Sequence, residues 1–329
     1  MRLPPLFATL LIFAALAGEF GSVAAQTPAS REPKLMLERE RSIAAYRGAV
    51  TGLAFTRDGQ RLISSGDDGQ IKIWNVASAK LLAEWQGDAS GVTAMALSRD
   101  GSRLAAGCWN GKLKLFDVER RALLWEKKEH AENVTSVAIS TDGKRIVTGS
   151  GDDTLKVWDA ATGDDLLVLD HKNEYDITAV AISPDDRYFV SGDGDNGLKV
   201  WALDSGEELA SLAGHQGAIA CVAFSADGKQ IVSGSFDHQL IAWNWRSQRA
   251  ARSLKGHADD VTALAVSSEG HIVSGSEDGA LKCWNAGSGE CLTTVGGHKR
   301  SITALAMDRG NTIASASRGE ITIWRLQSK

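Results

Sequence analysis

An aromatic side chain returns along this chain at nearly equal intervals: Trp74, Phe116, Trp158, Trp201, Trp243, Trp284 and Trp324. The steps are 42, 42, 43, 42, 41 and 40 residues. Periods of this size announce a repeated supersecondary unit, each copy too small to bury its apolar face alone. The internal order of each unit is the same. An alternating stretch such as Val134, Ser136, Ala138 or Val261, Ala263, Ala265 comes first. A tight turn follows at Asp58-Gly59, Asp100-Gly101, Asp142-Gly143 or Asp227-Gly228. Asp-Gly tolerates the positive dihedrals that short hairpins require. A second stretch, Arg145 to Ser150, passes through an acidic, Gly-containing turn to a third, Leu155 to Trp158, and a fourth, Leu166 to Leu169. Short runs of period-two alternation between turns predict four antiparallel strands per unit. Outside the N-terminal leader, no stretch keeps a helical period for three turns.

Composition fits repeated turns and repeated anchors, with 34 Gly, 10 Trp and only 5 Pro among 329 residues. Apolar residues at 43 % and charged residues at 23 % exclude collagen-like, mucin-like and wholly disordered chains. The net charge of -5 weighs against nucleic acid as a partner, and the Lys127-Lys128 pair is too short a basic run.

The Gly-His pairs Gly214-His215, Gly256-His257 and Gly297-His298, together with Trp158-Asp159, are specific marks. Trp74-Asn75, Trp243-Asn244 and Trp284-Asn285 are mild departures from the last of these. On these motifs and the period, the chain resembles the WD40 repeat family over residues 42–326. The resemblance implies an all-β, seven-bladed propeller around a central channel. After Trp324 only Arg325 to Lys329 remains, so the seventh unit lacks its own fourth strand. Arg41 to Tyr46 precedes the first unit, and the expectation is that this N-terminal strand completes the last blade and closes the ring. Ile43 and Ala45 would face one way and Ser42 and Ala44 the other, and an exposed edge would be removed.

The family also implies a hydrogen-bonded network in each unit, pinning the inter-blade loop to its own blade. The candidate sets are His130, Thr148, Asp152 and Trp158; His171, Ser191, Asp195 and Trp201; His215, Ser233, Asp237 and Trp243; and His257, Ser274, Asp278 and Trp284. His, Ser and Asp are also the ingredients of a hydrolase triad. A triad needs one convergent nucleophile beside oxyanion donors, whereas this set recurs four times as a structural device would. Metal binding is not expected, because one histidine per blade holds the ligands apart; no catalytic residue and no cofactor is assigned. Gly48 without a following His, Ala106, Asn110 and Phe116 in the second unit, and Arg318 in place of the Asp in the seventh mark units expected to be less tightly locked.

The family's usual partner face is formed by the inter-blade loops and the loops joining strands two and three. At one position of those loops the residue varies: Asp67, Trp109, Gly151, Gly194, Phe236, Glu277, Ser317. Trp109 and Phe236 are the leading partner-binding candidates, since large aromatics on polar loops serve as hot spots, although each ring also has the plain role of covering its own loop. Asp67, Glu277, Tyr175, Arg300, His238 and Asp193 are expected on the same face. Trp85 and Trp125 fall in outer strands, and Trp245 toward the opposite face or rim. Lys72, Lys112, Lys114, Lys156, Lys199 and Lys282 read as a solvated stripe. The expected activity is a non-enzymatic scaffold binding a protein or peptide on this face, as a monomer. The alternatives are a mainly structural subunit of a larger complex, or a small-ligand binder or enzyme at the channel mouth.

The N-terminus carries Arg2, an apolar run from Leu6 to Ala17, and Val23-Ala24-Ala25 ahead of Gln26. That is the pattern of a signal peptide over 1–25, followed by a polar lead-in over 26–41 and the propeller over 42–329. The run is short of the roughly 20 residues that span a bilayer. The expected location is periplasmic or secreted, with no membrane span after cleavage. Of the four cysteines, Cys283 and Cys291 would face each other across a hairpin near Gly287, either bridged or as two buried thiols.

Overall fold

Alternation between Asp-Gly turns yields strands along the whole repeat region. A computed structural model describes residues 35–171 and 175–328; the signal peptide expected at 1–25 lies outside the described residues. The first repeat contains β1 (Leu35–Phe55), β2 (Arg61–Gly66), β3 (Gln70–Asn75) and β4 (Leu81–Gln86). The second contains β5 (Val92–Leu97), β6 (Arg103–Cys108), β7 (Lys112–Asp117) and β8 (Ala122–Lys128). Next come β9 (Val134–Ile139), β10 (Arg145–Ser150), β11 (Thr154–Asp159) and β12 (Asp165–Asp170), then β13 (Ile177–Ile182), β14 (Tyr188–Asp193), β15 (Leu198–Ala202) and β16 (Glu208–Leu212). The fifth and sixth repeats hold β17 (Ile219–Phe224), β18 (Ile231–Ser235), β19 (Gln239–Asn244), β20 (Arg249–Lys255), and β21 (Val261–Val266), β22 (His271–Ser276), β23 (Ala280–Asn285), β24 (Cys291–Gly296). The last repeat has β25 (Ala304–Met307) and β26 (Thr312–Ser328). Among the described residues a single 3-10 turn, Trp245–Ser247, interrupts the strands, and no helix there is long and apolar enough to cross a membrane.

The strands pair into five four-stranded antiparallel sheets and one six-stranded sheet, ordered β25-β26-β1-β2-β3-β4. Counted by hydrogen-bonded sheets, the propeller is six-bladed, which corrects the seven-bladed expectation. The cause lies in two long strands. Residues 35–44 of β1 pair with β26 and residues 50–55 with β2. Residues 313–316 of β26 pair with β25 and residues 320–328 with β1. Neither strand is interrupted between its two partners, so the first and seventh sequence repeats share one sheet. Within it Ile43 lies opposite Ile321 and Ser42 opposite Thr322.

Apolar side chains between consecutive repeats form the core. Ile63, Ile71 and Ile73 of the first repeat meet Val92, Leu104 and Phe116 of the second. At the junction of the termini, Ile43, Ala45, Ile321 and Ile323 meet Val50, Leu62 and Trp74. The same arrangement recurs at each of the other junctions. A second device runs around the innermost strands. Thr93, Thr135 and Thr178 donate their hydroxyls to the carbonyls of Val134, Ile177 and Ile219 in the following repeats. Thr262 does so to Ile302 at 2.5 Å and Thr303 to Val50 at 2.7 Å. Ala220 stands in this position in the fifth repeat and has no hydroxyl to give.

The cysteine register differs from expectation. A bulge between Cys283 and Trp284 places Thr293 opposite Cys283 and Cys291 opposite Trp284. Cys283 is buried, Cys291 is exposed, and both are free thiols.

Ile43 anchors the junction that joins the two ends of the described chain. Truncating it to Ala is expected to cost about 2–5 kcal/mol, whereas Ser42→Ala, at an exposed site, should cost less than about 0.5 kcal/mol. Urea unfolding of the two variants checks this, and similar losses would contradict the inward-outward assignment.

Candidate functional site

The loops that could meet a partner are held by buried polar chains. In the third repeat, the Trp158 indole donates to Thr148 Oγ1 at 2.9 Å, and His130 Nε2 meets the same oxygen at 2.8 Å. His130 Nδ1 lies 3.0 Å from Asp152, which also accepts from the Ala131 N–H at 2.7 Å. The fifth repeat has Trp243 to Ser233 at 2.8 Å, His215 to Ser233 at 2.7 Å, His215 to Asp237 at 2.8 Å, and Gln216 N–H to Asp237 at 2.9 Å. The sixth has the corresponding bonds among Trp284, Ser274, His257, Asp278 and the Ala258 N–H. An indole N–H can only donate, so the hydroxyl that accepts from it donates its own O–H to the lone pair of Nε2. The imidazole proton then sits on Nδ1, facing the carboxylate, as inferred from this network.

The fourth repeat departs from expectation. His171 and Trp201 both meet Ser191 Oγ at 2.9 Å, but the carboxylate beside His171 Nδ1, at 3.2 Å, is Asp193. Asp195 is exposed in the turn beyond. The turn is of the same length as in the other repeats, and Asp193, at the end of β14 where Ser150, Ser235 and Ser276 stand elsewhere, accepts from the Asp195 and Gly197 N–H groups at 2.9 and 2.7 Å. Asp193 is therefore a fully buried network residue and not a partner-facing one.

Two units expected to be loose are locked by other chemistry. In the first, Tyr46 replaces the histidine: its hydroxyl lies 2.9 Å from Ser64, which accepts the Trp74 indole at 2.8 Å. Burial pushes the Tyr46 phenol well above its ordinary range. In the second, Asp88 follows Gly87 where His follows Gly elsewhere, and pairs with Lys114 at 2.8 Å and Asn110 at 3.2 Å. Burial opposes the charge of Asp88, but Lys114 and Ser90 outweigh it and hold the carboxyl down at about 2. The lysine stripe is likewise not simply solvated. Lys72, Lys114 and Lys199 donate to the carbonyls of Ala45, Gly87 and His171 at 2.8, 3.2 and 2.6 Å, while Lys156 is buried near the Trp158 ring.

The seventh repeat keeps only half of its network. Ser315 accepts from Trp324 at 2.8 Å and meets His298 Nε2 at 2.7 Å. His298 Nδ1 is buried with no partner among the described residues, because Arg318 stands at the carboxylate position. A buried donor left unmet costs about 1–3 kcal/mol.

Once the loops are pinned, the variable residues fall on one rim. The N–H groups of Asp67, Trp109, Gly151, Gly194, Phe236 and Glu277 bond the carbonyls of Ala49, Gly91, Asn133, Asp176, Ala218 and Asp260, each in the loop leading into the same repeat. Trp109 is 55 % exposed, Phe236 47 % and Tyr175 46 %. Trp109 lies over Gly91, whose φ of +106 and bare Cα leave room for the indole. Asp67, Glu277 and Arg300 are exposed. His238, also exposed at φ +67, points to the next repeat, with Nε2 3.2 Å from Asp260 and 4.0 Å from Asp259. These three residues, of which the sequence singled out only His238, could offer three ligand atoms to a divalent cation. Trp245 is buried, donating to Gly228 O at 3.1 Å.

A family model described as the nucleolar protein 10-like N-terminal domain matches residues 48–207. The WD domain, G-beta repeat model matches residues 206–244, 248–285 and 289–325. No curated protein matches the chain. The chain therefore carries a WD40-type β-propeller domain. Such a domain is in general a protein-interaction scaffold. Each recurring His–hydroxyl pair is committed to an indole N–H, as a repeated structural network would be.

The networks give stability a defined pH dependence. Burial lowers the affinity of His215, His257 and His298 for protons, so below about 6.5 the unfolded chain takes up protons before the folded one. Asp237 and Asp278 are held below the ordinary carboxylate range, burial opposing but backbone N–H groups and the histidines prevailing. Their contribution, with that of Asp88, is present above about pH 4 and lost as pH falls toward the folded values. Urea midpoints are expected to decline in two stages, below about pH 6.5 and again below about pH 4. A midpoint that rose between neutrality and pH 5 would contradict the neutral-histidine network.

Proposed function

We propose that the protein holds a protein or peptide partner against the loop rim, without catalysis and as a monomer. The observation that carries this reading is the pair Trp109 and Phe236, half-exposed aromatics on loops whose backbones are bonded in place. Rigid aromatics lose little entropy on binding and account for a large share of interface energy. Tyr175 lies between them in repeat order and extends the apolar arc, while Asp67, Glu277, His238 and Arg300 would supply polar contacts at its margin. The net charge of -5 disfavours nucleic acid as the occupant. The compartment we propose is the periplasm or cell exterior, on the residue pattern at 1–25 alone; N-terminal sequencing of the mature protein tests it.

A second reading has its own support. Leu81, Leu82, Leu123, Leu124, Leu166 and Val168 are exposed on the outer strands β4, β8 and β12. Three neighbouring repeats thus share one apolar arc at the circumference, as a subunit of a larger complex would. The cavity of about 490 Å³ between the turns at 98–103 and 141–145 is lined by charged and hydroxyl side chains, with Ala161 the one apolar side chain larger than glycine among them, and lacks the aromatic and aliphatic walls common to small-ligand sites.

The two readings separate in one affinity-capture experiment with host extract. Trp109→Ala and Phe236→Ala are each expected to weaken capture by about thirty-fold, the equivalent of about 2 kcal/mol, with thermal unfolding unchanged. Leu82→Glu with Leu124→Glu should leave capture intact. The reverse pattern would move the interface to the circumference.

A further inference from the structure

We propose that the cavity between the turns at 98–103 and 141–145 binds a phosphate group, free or as the monoester of a small molecule. These turns join the first and second strands of the second and third repeats, so they lie at the opposite end of the second strand from the rim residues. The neighbouring junction supplies an internal template. There Asp186 of the fourth repeat reaches back to the turn of the third, and its carboxylate accepts from the Thr141 and Asp142 N–H groups at 2.6 and 2.9 Å. One repeat earlier the corresponding N–H groups are those of Arg99 and Asp100, and neither meets an acceptor on another described residue. Gly143 stands in the place of Asp186, with φ +72 against +56. A Cβ at Gly143 would have no atom within 4 Å, so the position that a carboxylate fills in one junction is open space in the other.

The charge around this opening selects the ligand. Arg99, Arg103, Lys144 and Arg145 line it, against Asp100, Asp142 and Asp159. All three carboxylates are committed to their own turns. Asp100 accepts from Ser98 and Ser102, Asp142 from Ser140 and the Lys144 N–H, and Asp159 from the Ala161 and Thr162 N–H groups. Two turn carboxylates, Asp142 and Asp185, flank the template in the same way, and an anion is seated there nonetheless. The cations are held more loosely. Lys144 lies 3.4 Å from Asp142 and Arg145 3.9 Å from Asp159. Arg61, the counterpart of Arg103, is paired with Glu119 at 2.7 Å, whereas Asp117, opposite Arg103, is engaged by Arg120 instead. At the corresponding positions the template junction has only Arg145 and Arg187 as cations, with Thr141 and Tyr188 in place of Arg99 and Arg145. A junction with two cations holds one carboxylate, so one with four suits a dianion. A phosphate monoester supplies that charge and three acceptor oxygens, and pairs with guanidinium groups through parallel N–H···O bonds. Such a ligand needs donors around it, not the apolar walls that this cavity lacks.

The test is calorimetric titration of the full chain with inorganic phosphate and with glycerol phosphate, in a phosphate-free buffer at constant ionic strength. Saturable binding at one site is expected, and the tighter of the two probes tells free ion from ester. Acetate should bind more weakly by about tenfold or more. Gly143→Asp supplies the carboxylate from within, as Asp186 does. Arg103→Gln removes the guanidinium that has no acid partner and leaves the hydrogen bonds of both turns in place. Each variant should weaken phosphate binding by about tenfold or more, with the circular dichroism of the folded chain retained. Arg187→Gln, beside the position that Asp186 already fills, should leave binding unchanged, and so should Trp109→Ala on the rim. No saturable binding of either probe, or unchanged affinity in Arg103→Gln or Gly143→Asp, would overturn the proposal. So would an equal loss in Arg187→Gln, because the effect would then belong to the general charge of this face. Acetate binding as tightly as phosphate would overturn the ligand class.

Discussion

One buried hydroxyl on the second strand of a repeat decides where the loop before that repeat lies. It accepts from a tryptophan indole that has no other use for its proton, and thereby has a proton of its own to give to a histidine or to share with a tyrosine. Ser64, Thr148, Ser191, Ser233, Ser274 and Ser315 all occupy this place. Because each is buried, every partner must be present or the site loses stability. The histidine or tyrosine belongs to the leading loop, so satisfying the hydroxyl fixes that loop, and the loop carbonyl then fixes the turn that carries the rim residue. Where Ala106 removes the hydroxyl and Phe116 the indole N–H, an ion pair between Asp88 and Lys114 does the same work with charges.

The threonine hydroxyls on the innermost strands act at right angles to these networks. Each network ties a repeat to itself; each threonine bond ties it to the next. Thr303 to Val50 is the member that spans the chain ends, beside Ile43 and Ile321. Removing residues 35–44 would therefore strip both apolar cover and the hydrogen-bond partner of residues 320–328 in β26. Repeat arrays draw their stability from such neighbour contacts, so a break at the seam is felt by both adjoining repeats.

Much of this was legible from period and motif: the repeat boundaries, the strand order within each unit, the inward face of Ile43 and Ala45, and three of the four full networks. What escaped had a physical reason in each case. Tyr46 and Asp88 perform the histidine's task with different atoms, and a residue-identity pattern does not register equivalence of hydrogen-bonding capacity. Asp193 takes the task expected of Asp195 because a carboxylate stands at the end of β14 where Ser150, Ser235 and Ser276 stand in other repeats, a side-chain exchange that no strand period registers. The bulge at Cys283 and Trp284 shifted the cysteine register for a similar reason, since bulges answer to local packing. The number of sheets depended on whether β1 and β26 pause between their two partners, a matter of backbone continuity to which side-chain alternation is blind.

A scaffold pinned in this way can spend its rim freely. Trp109 needs only Gly91 beneath it, and its loop is already held by backbone bonds that any residue would make. The side chain at that position is thus uncoupled from folding, and the same holds for Asp67, Phe236 and Glu277. Coupling returns in the seventh repeat, where the network itself is incomplete and Arg318 stands in for its carboxylate. There the rim position and the buried histidine belong to one register, and His298 Nδ1 is left without a partner among the described residues. The two features are therefore different in kind: aromatic side chains added to a finished frame, and a buried imidazole nitrogen to which the frame gives no partner.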